Sequence, residues 1–481
     1  MRLEKHFITS KNHRSSSIVS ICLILVLVTA TLCSVNLVEA PLSYSQQLQK
    51  QQVTLTAMLD DQGDPPRLLK MLFEPALKEL RDRHPDLDIM LDYRPIPYTD
   101  LHSKFLQTMA NKTAIDILTV DYIWLGEFVE KGLLTDITNY TEHWGRSSEW
   151  YQANWDGGAY NDKLYGIWTV ADARGIWYWK DLLNEAGVDP NLLKTWDGYI
   201  EAAKKLNAAL RDKGIEGVHL TAAPIDMWYP YLWMLEGSVV EMRSGHPTKG
   251  TYWFPGYNST EGVRALQFIK DQVDAGIKPQ KEHFWGKEFL DRKFAVMIEA
   301  LQNHVHLNTT EQKNQFEQKV GFIPGFPVPN EGNESATIMG GWLLSIPATS
   351  SNKDLAWELI SLILQPKILA PFHQKYGLLP TQISIGEGSP YSSQLNQTVP
   401  YYNQLVSMMD IQGVRPNMPE YPQIAIHVRE AINQVYNGTK EPEEALDEAA
   451  AKSAKLLDGK TCKHLSLIDN RYIPHLLASK K

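Results

Sequence analysis

Cysteine is nearly absent: the 481-residue chain has three, and two of them, Cys22 and Cys33, lie inside an apolar run near the N-terminus. Cys462 is left alone, so the rest of the chain has no intrachain disulfide. Excess positive charge is missing as well. The 47 Lys and Arg against 56 Asp and Glu give a net charge of -9, which provides no basic footprint for nucleic acid or an anionic lipid surface. There is no Gly-x-Ser-x-Gly elbow, no His-Glu-x-x-His zinc helix, no phosphate loop, no solenoid repeat, and no Cys or His cluster at metal spacing. His304 and His306 alternate after an apolar run and read as a polar loop, with a metal pair as the alternative. No catalytic residue, metal or cofactor is expected.

The chain has a single long apolar run, from Ile18 to about Val38, preceded by Arg2, Lys5, Lys11 and Arg14. Residues 1–40 therefore read as an export signal or a membrane anchor, with the positive end on the cytoplasmic side. An uncleaved anchor is the first reading. Pro41 disfavours a cut after Val38-Glu39-Ala40, and Leu32 before Cys33 is too bulky for a lipoprotein signal. Residues 41–52 are polar and Gln-rich, as a linker would be. Seven Asn-x-Ser/Thr sequons follow, at Asn111, Asn139, Asn258, Asn308, Asn333, Asn396 and Asn437. They suit a glycosylated extracellular body, the alternative being plain polar triplets.

The body is ordinary in composition, 43% hydrophobic and 21% charged, and long enough for two domains or two lobes. Val53 to Leu59 alternates at period two, a helical stretch carries Leu69, Leu72, Phe73, Ala76, Leu77 and Leu80 on one face, and Leu87 to Tyr93 alternates again. Asp116 to Val120 is a short buried strand, followed by a helix from Tyr122 to Lys131. Further helices are predicted over Trp196–Leu210, Glu261–Val273, Lys353–Leu364, Gln423–Tyr436 and Glu441–Leu457. The pattern predicts an α/β fold with largely parallel, covered sheets, whose ligands gather at the carboxyl ends of strands.

Several phrases in fixed order resemble the carbohydrate-type extracellular solute-binding proteins, the maltose-binding and trehalose/maltose-binding relatives of ABC importers. They are Asp116-Ile-Leu-Thr-Val-Asp-Tyr-Ile-Trp124, Phe128-Val-Glu-Lys-Gly-Leu-Leu134, Leu164-Tyr-Gly-Ile167, Trp177-Tyr-Trp-Lys-Asp-Leu-Leu183 and Thr195-Trp-Asp-Gly-Tyr199. Later come Lys293-Phe-Ala-Val-Met-Ile298, Gly340-Gly-Trp-Leu-Leu-Ser-Ile346, Gly377-Leu-Leu-Pro-Thr381 and Val414-Arg-Pro-Asn-Met-Pro-Glu-Tyr421. The resemblance implies a two-lobed, periplasmic-binding-protein-like fold of type II, with a ligand cleft and three crossings near Trp168, Ser345 and Asp410. Lobe one would be 53–168 plus 347–408, lobe two 170–346 plus 410–460, and 461–481 a tail. It also implies hinge closure on a sugar or oligosaccharide and delivery to ABC transporter permease subunits, on the extracellular face of the membrane or in a periplasm.

A pyranose needs aromatic faces for its C–H surfaces and planar charged groups for its hydroxyls, and the chain has 14 Trp and 21 Tyr. Asp121 and Trp124 follow a strand; the first is also placed to cap a helix and the second to pack as its first core residue. Asp172 and Arg174 sit at the first crossing, where an ion pair between lobes is the alternative. Trp228 lies in a dense aromatic run, Glu299 closes an apolar strand and has either a cleft role or a solvated end, and no ring follows it. Gly341 lets the backbone approach a ligand and Trp342 offers a platform. Arg415 resembles the family's cleft arginine, with a surface ion pair as the alternative. Tyr421 and Asp61 complete the set. A glycoside hydrolase using Asp121 and Glu299, or a scaffold of this fold without a ligand, are the competing readings.

Overall fold

The computed structural model describes residues 50–458 apart from 62–65, 221–223, 247–249, 279–285, 331 and 414. The N-terminal run, Trp285, the three cysteines and the C-terminal tail lie outside the described residues. No single helix among those described is long and apolar enough to cross a membrane.

The chain opens with strand β1, Gln51–Leu59, so the last two residues of the expected linker belong to the sheet. A helical passage through Leu69–Phe73 continues as α1, Glu74–Arg83, and buries Leu72, Phe73, Ala76, Leu77 and Leu80 on the predicted face. Strand β2, Leu87–Pro95, pairs parallel with β1 along its full length. It is the outer strand of its sheet, which explains why Ile89 alone in it is fully covered. Helix α2, Tyr98–Ala110, then leads to β3, Ile117–Asp121. All five residues of β3 are buried, because the strand is flanked on both sides.

Strand β4, Gly166–Asp172, is the last strand of this first sheet, and β5, Gly175–Trp179, belongs to a second. Helix α3 occupies Trp196–Leu210 as its period predicts, with the Thr195 hydroxyl accepting from the Gly198 N–H at its start. Strand β6, Glu216–Val218, helices α4, Pro224–Met234, and α5, Thr260–Asp274, strand β7, Phe294–Glu299, and strand β8, Val320–Ile323, complete the second unit. The chain returns to the first sheet as β9, Gly340–Ser345. It ends with α6, Lys353–Ile363, several short helices, α7, Tyr421–Tyr436, and α8, Pro442–Leu457.

The first sheet has the order β2-β1-β3-β9-β4 and the second β8-β5-β7-β6. The expectation of largely parallel sheets is met only in part: β9 runs antiparallel to both neighbours, as β5 does to its own. Chain path is the reason. The chain leaves the first sheet at Asp172 and re-enters it at Gly340, and these two residues face each other in the ladder. The returning strand must therefore run away from the same edge. The second passage between sheets accordingly precedes Gly340, upstream of Ser345.

Three connecting segments are laced together where the sheets meet. The Arg174 N–H donates to Thr337 Oγ1 (2.9 Å), whose hydroxyl donates to the Arg174 carbonyl (2.8 Å). Thr337–Ile338 pairs with Gln412–Gly413, and Gln412 Nε2 donates to the Asp172 carbonyl (3.2 Å). The ends of both sheets at this junction carry Asp121, Asp172 and Trp342 from one side and Glu299 from the other.

Candidate functional site

Asp121 ends β3 because a buried central strand needs a polar exit. Its carboxylate accepts from the Tyr98 hydroxyl (3.1 Å) and, at 3.4 Å, from the Ile123 N–H, so the capping role and a place at the junction of the sheets coexist. Burial raises its pKa, against the pull of Arg415 and the Ile123 N–H. The charge on Asp121, then burial, holds the Tyr98 hydroxyl protonated well above its usual range.

Three rings surround this carboxylate. Tyr98 stacks on Trp124 (5.6 Å, 13°) and stands edge-on to Trp342 (5.6 Å, 83°). Trp342 lies directly opposite Asp121 in the β3–β9 ladder. Trp124 is buried, as its core-residue reading predicts, while Trp342 is half-buried and Tyr98 is 37% exposed. Ring surface for a ligand therefore comes chiefly from Tyr98 and Trp342.

Glycines set this corner. Gly341 has φ +139°, and a Cβ there would lie 2.2 Å from the Val170 carbonyl oxygen. A Cβ on Gly340 would sit 2.0 Å from Asp172 Oδ1. The close backbone approach thus makes room for the Asp172 carboxyl and, on the other glycine, for the Val170 carbonyl and Trp168 ring.

Behind the rings lies an ion network. Arg174 Nη2 is 3.1 Å from Asp226 Oδ2 and its Nε 3.3 Å from Glu299 Oε1, while Arg415 Nη1 is 3.7 Å from Asp226 Oδ1. Arg415 also lies over the Tyr122 ring (5.0 Å) and donates from its backbone N (2.9 Å) and Nε (3.0 Å) to the Tyr122 hydroxyl. Arg415 therefore joins Tyr122, just past the end of β3, to Asp226 on α4. It is buried to within 12%, which replaces the surface ion-pair alternative. Burial opposes ionisation of Asp226, but Arg174 and Arg415 hold its carboxyl below the usual range. Burial pushes Asp172 up to about 6, only partly countered by Arg174 and reinforced by Glu299. Glu299 is buried, not a solvated strand end, and accepts from the Ala300 N–H (2.9 Å).

Of the remaining sequence candidates, Asp61 and Trp228 sit apart from the rings and charges, whereas Tyr421 lies near enough to Arg415 to interact with its charge. Asp61 accepts from the N–H groups of Arg67 (2.8 Å), Leu68 (2.9 Å) and Leu69 (3.3 Å), and from the Tyr93 hydroxyl. It is a helix cap. Trp228 is fully buried on α4, its indole N–H directed at the Gly262 carbonyl of α5 (3.4 Å). Tyr421 is buried at the start of α7 and shares a hydrogen bond with Tyr229 (2.7 Å). Conversely, Tyr98, Tyr122 and Asp226 were not singled out by the sequence. Tyr98 closely follows the carboxyl end of β2, so the strand-end rule that marked Asp121 marks it too.

A cavity of about 350 Å³ lies elsewhere, lined by Thr138, Glu142, Trp155, Asp156 and Lys163 among others, and shares no residue with this cluster.

The model of the bacterial extracellular solute-binding protein family matches residues 72–369. A binding protein of Brucella abortus (strain 2308) is 25% identical over 395 residues, 80% of this chain and 89% of its own. The arabinooligosaccharide-binding protein of Bacillus subtilis (strain 168) is 23% identical over 305 residues, 61% of this chain and 66% of its own. A maltose-bound T. maritima structure aligns with a TM-score of 0.68 at 21% identity, over 84% of this chain and 100% of that one. The fold is that of these two-lobed binding proteins.

Proposed function

We propose, from the premise that this chain belongs to the family of bacterial extracellular solute-binding proteins, that it captures a sugar or oligosaccharide between two lobes and delivers it to the permease of an ABC importer. The first sheet forms one lobe and the second sheet the other, joined by the segments around 172–175, 337–340 and 410–415. The ligand is released intact, so the protein is no enzyme. The body stands on the outer side of the membrane, tethered by the N-terminal apolar run.

The observation that carries this reading is the corner formed by Tyr98 and Trp342 over Asp121, with Arg415 beside it. The rings suit the C–H faces of a pyranose. The carboxylates accept from hydroxyls, and a guanidinium with spare N–H groups donates to two at once. The rings and Asp121 come from the first-sheet side, Asp226 and Glu299 from the other, and Arg415 from a segment joining them, so a ligand touching both sides draws the lobes together. The names of the B. subtilis and T. maritima relatives, which carry arabinooligosaccharide and maltose, point to the same ligand class.

The test is a panel of mono-, di- and oligosaccharides against the purified chain, following thermal shift and tryptophan emission together. A ligand at a hundredfold over its Kd adds about 2.7 kcal/mol of stability. A saturable shift with the sugar recovered unchanged supports the reading. Released product would replace it with hydrolysis, and silence across the panel would end the saccharide assignment.

A further inference from the structure

Charge in the cleft is out of balance. Asp121, Asp172, Asp226 and Glu299 supply four carboxylates, whereas Arg174 and Arg415 are the guanidiniums at close range and both lie against Asp226. Arg429 acts on Asp226 only as a weaker, more distant charge. Arg174 serves Glu299 as well. Asp121 and Asp172 are left without an ion-pair partner among the described residues. Asp172 Oδ1 is cut off from solvent with no hydrogen-bond partner, and Asp121 has only the Tyr98 hydroxyl and one long backbone contact. Closing the lobes over such carboxylates is unfavourable unless a positive charge arrives with the ligand.

The corner above Asp121 has the chemistry to take that charge. Tyr98 and Trp342 stand at 83° with centroids 5.6 Å apart, and Asp121 is bonded to the first and opposite the second. Two ring walls and a carboxylate attract an ammonium through ring quadrupoles and a charge-assisted hydrogen bond. A sugar hydroxyl in the same place satisfies the hydrogen bond but leaves Arg415, already paired with Asp226, as the charge offsetting Asp121.

We propose that the saccharide carries an amino group, and that its ammonium sits on the exposed ring surface of the packed Tyr98–Trp342 pair, beside Asp121. This rests on the saccharide reading and narrows it.

The test is titration calorimetry on the full-length chain with matched sugars: glucose and glucosamine, galactose and galactosamine, cellobiose and the β-1,4-linked glucosamine disaccharide. The N-acetyl form of each amine serves as the uncharged control. In at least one pair the amine is expected to bind tenfold or more tighter than both its neutral parent and its N-acetyl form. Asp121→Asn should bring the pair to parity. A second readout does not depend on that variant folding: raising the pH until the amine is deprotonated should remove the preference in the unmodified protein. If neutral parents or N-acetyl forms bind as tightly as the amines, the amine proposal falls and the saccharide reading stands. If no sugar here or in the wider neutral panel binds, both fall.

Discussion

Replacing Asp226 by Asn tests whether one carboxylate braces both Arg174 and Arg415. Its oxygens lie 3.1 Å from Arg174 and 3.7 Å from Arg415, with side-chain exposures of 20%, 13% and 12%. At an effective dielectric of about 20, each attraction is worth roughly 4–5 kcal/mol before solvation is counted. Desolvation of the carboxylate offsets much of this, and the amide keeps the shape but none of the charge, so the net loss is about 2–3 kcal/mol. Arg174 keeps Glu299, while Arg415 keeps the Tyr122 hydroxyl and ring and the weaker charge of Asp121. Equilibrium urea unfolding followed by tryptophan emission measures the loss. Because the pairs are largely buried, the difference should change little between 0.1 and 0.5 M salt, where the screening length falls from about 10 Å to about 4–5 Å. A loss below about 0.5 kcal/mol, or one that vanishes in high salt, would mark these as ordinary surface pairs and refute the bracing.

Trp342→Ala should weaken saccharide binding about 5- to 30-fold, a loss of about 1–2 kcal/mol, and remove most of the emission change; unchanged affinity would exclude the ring as a platform. Gly341→Ala should destabilise by about 1–3 kcal/mol in the same urea assay, since φ +139° and the Val170 oxygen leave no room for a Cβ. Asp172 titrates at about 6, above the 3.8 of an ordinary Asp. Its native form therefore favours the proton, and its contribution to stability is present below about pH 4 and lost as pH rises to about 6. Asp172→Asn should accordingly be about 1–3 kcal/mol more stable than the parent at pH 8 and near parity at pH 4; the opposite ordering would overturn the placement of this carboxyl.

Long periodic helices were legible from sequence because one-sided burial writes itself at period 3.6: α3 spans its predicted residues, and α5 and α7 differ by one or two at their ends. The direction of β9 was not. Strand direction depends on where the chain returns from, and no local pattern records that the passage back ends at Gly340 beside Asp172. A strand end, a glycine pair and a family phrase marked Asp121, Trp342 and Arg415, and the structure brings all three to the junction of the sheets. Trp228 misled, since aromatic density looks the same in a core helix as in a binding loop. Asp226 stands two residues before Trp228 with no pattern to mark it, because its value comes from two arginines far away in sequence.

The most direct test of the account is a crystal structure of the chain with the saccharide that gives the largest thermal shift. The prediction is a ligand between the two sheets, one ring against Tyr98 or Trp342 and its hydroxyls or amine on Asp121 and Arg415. A ligand seated instead in the cavity beside Glu142 and Trp155, with the Tyr98–Trp342 corner empty, would contradict it.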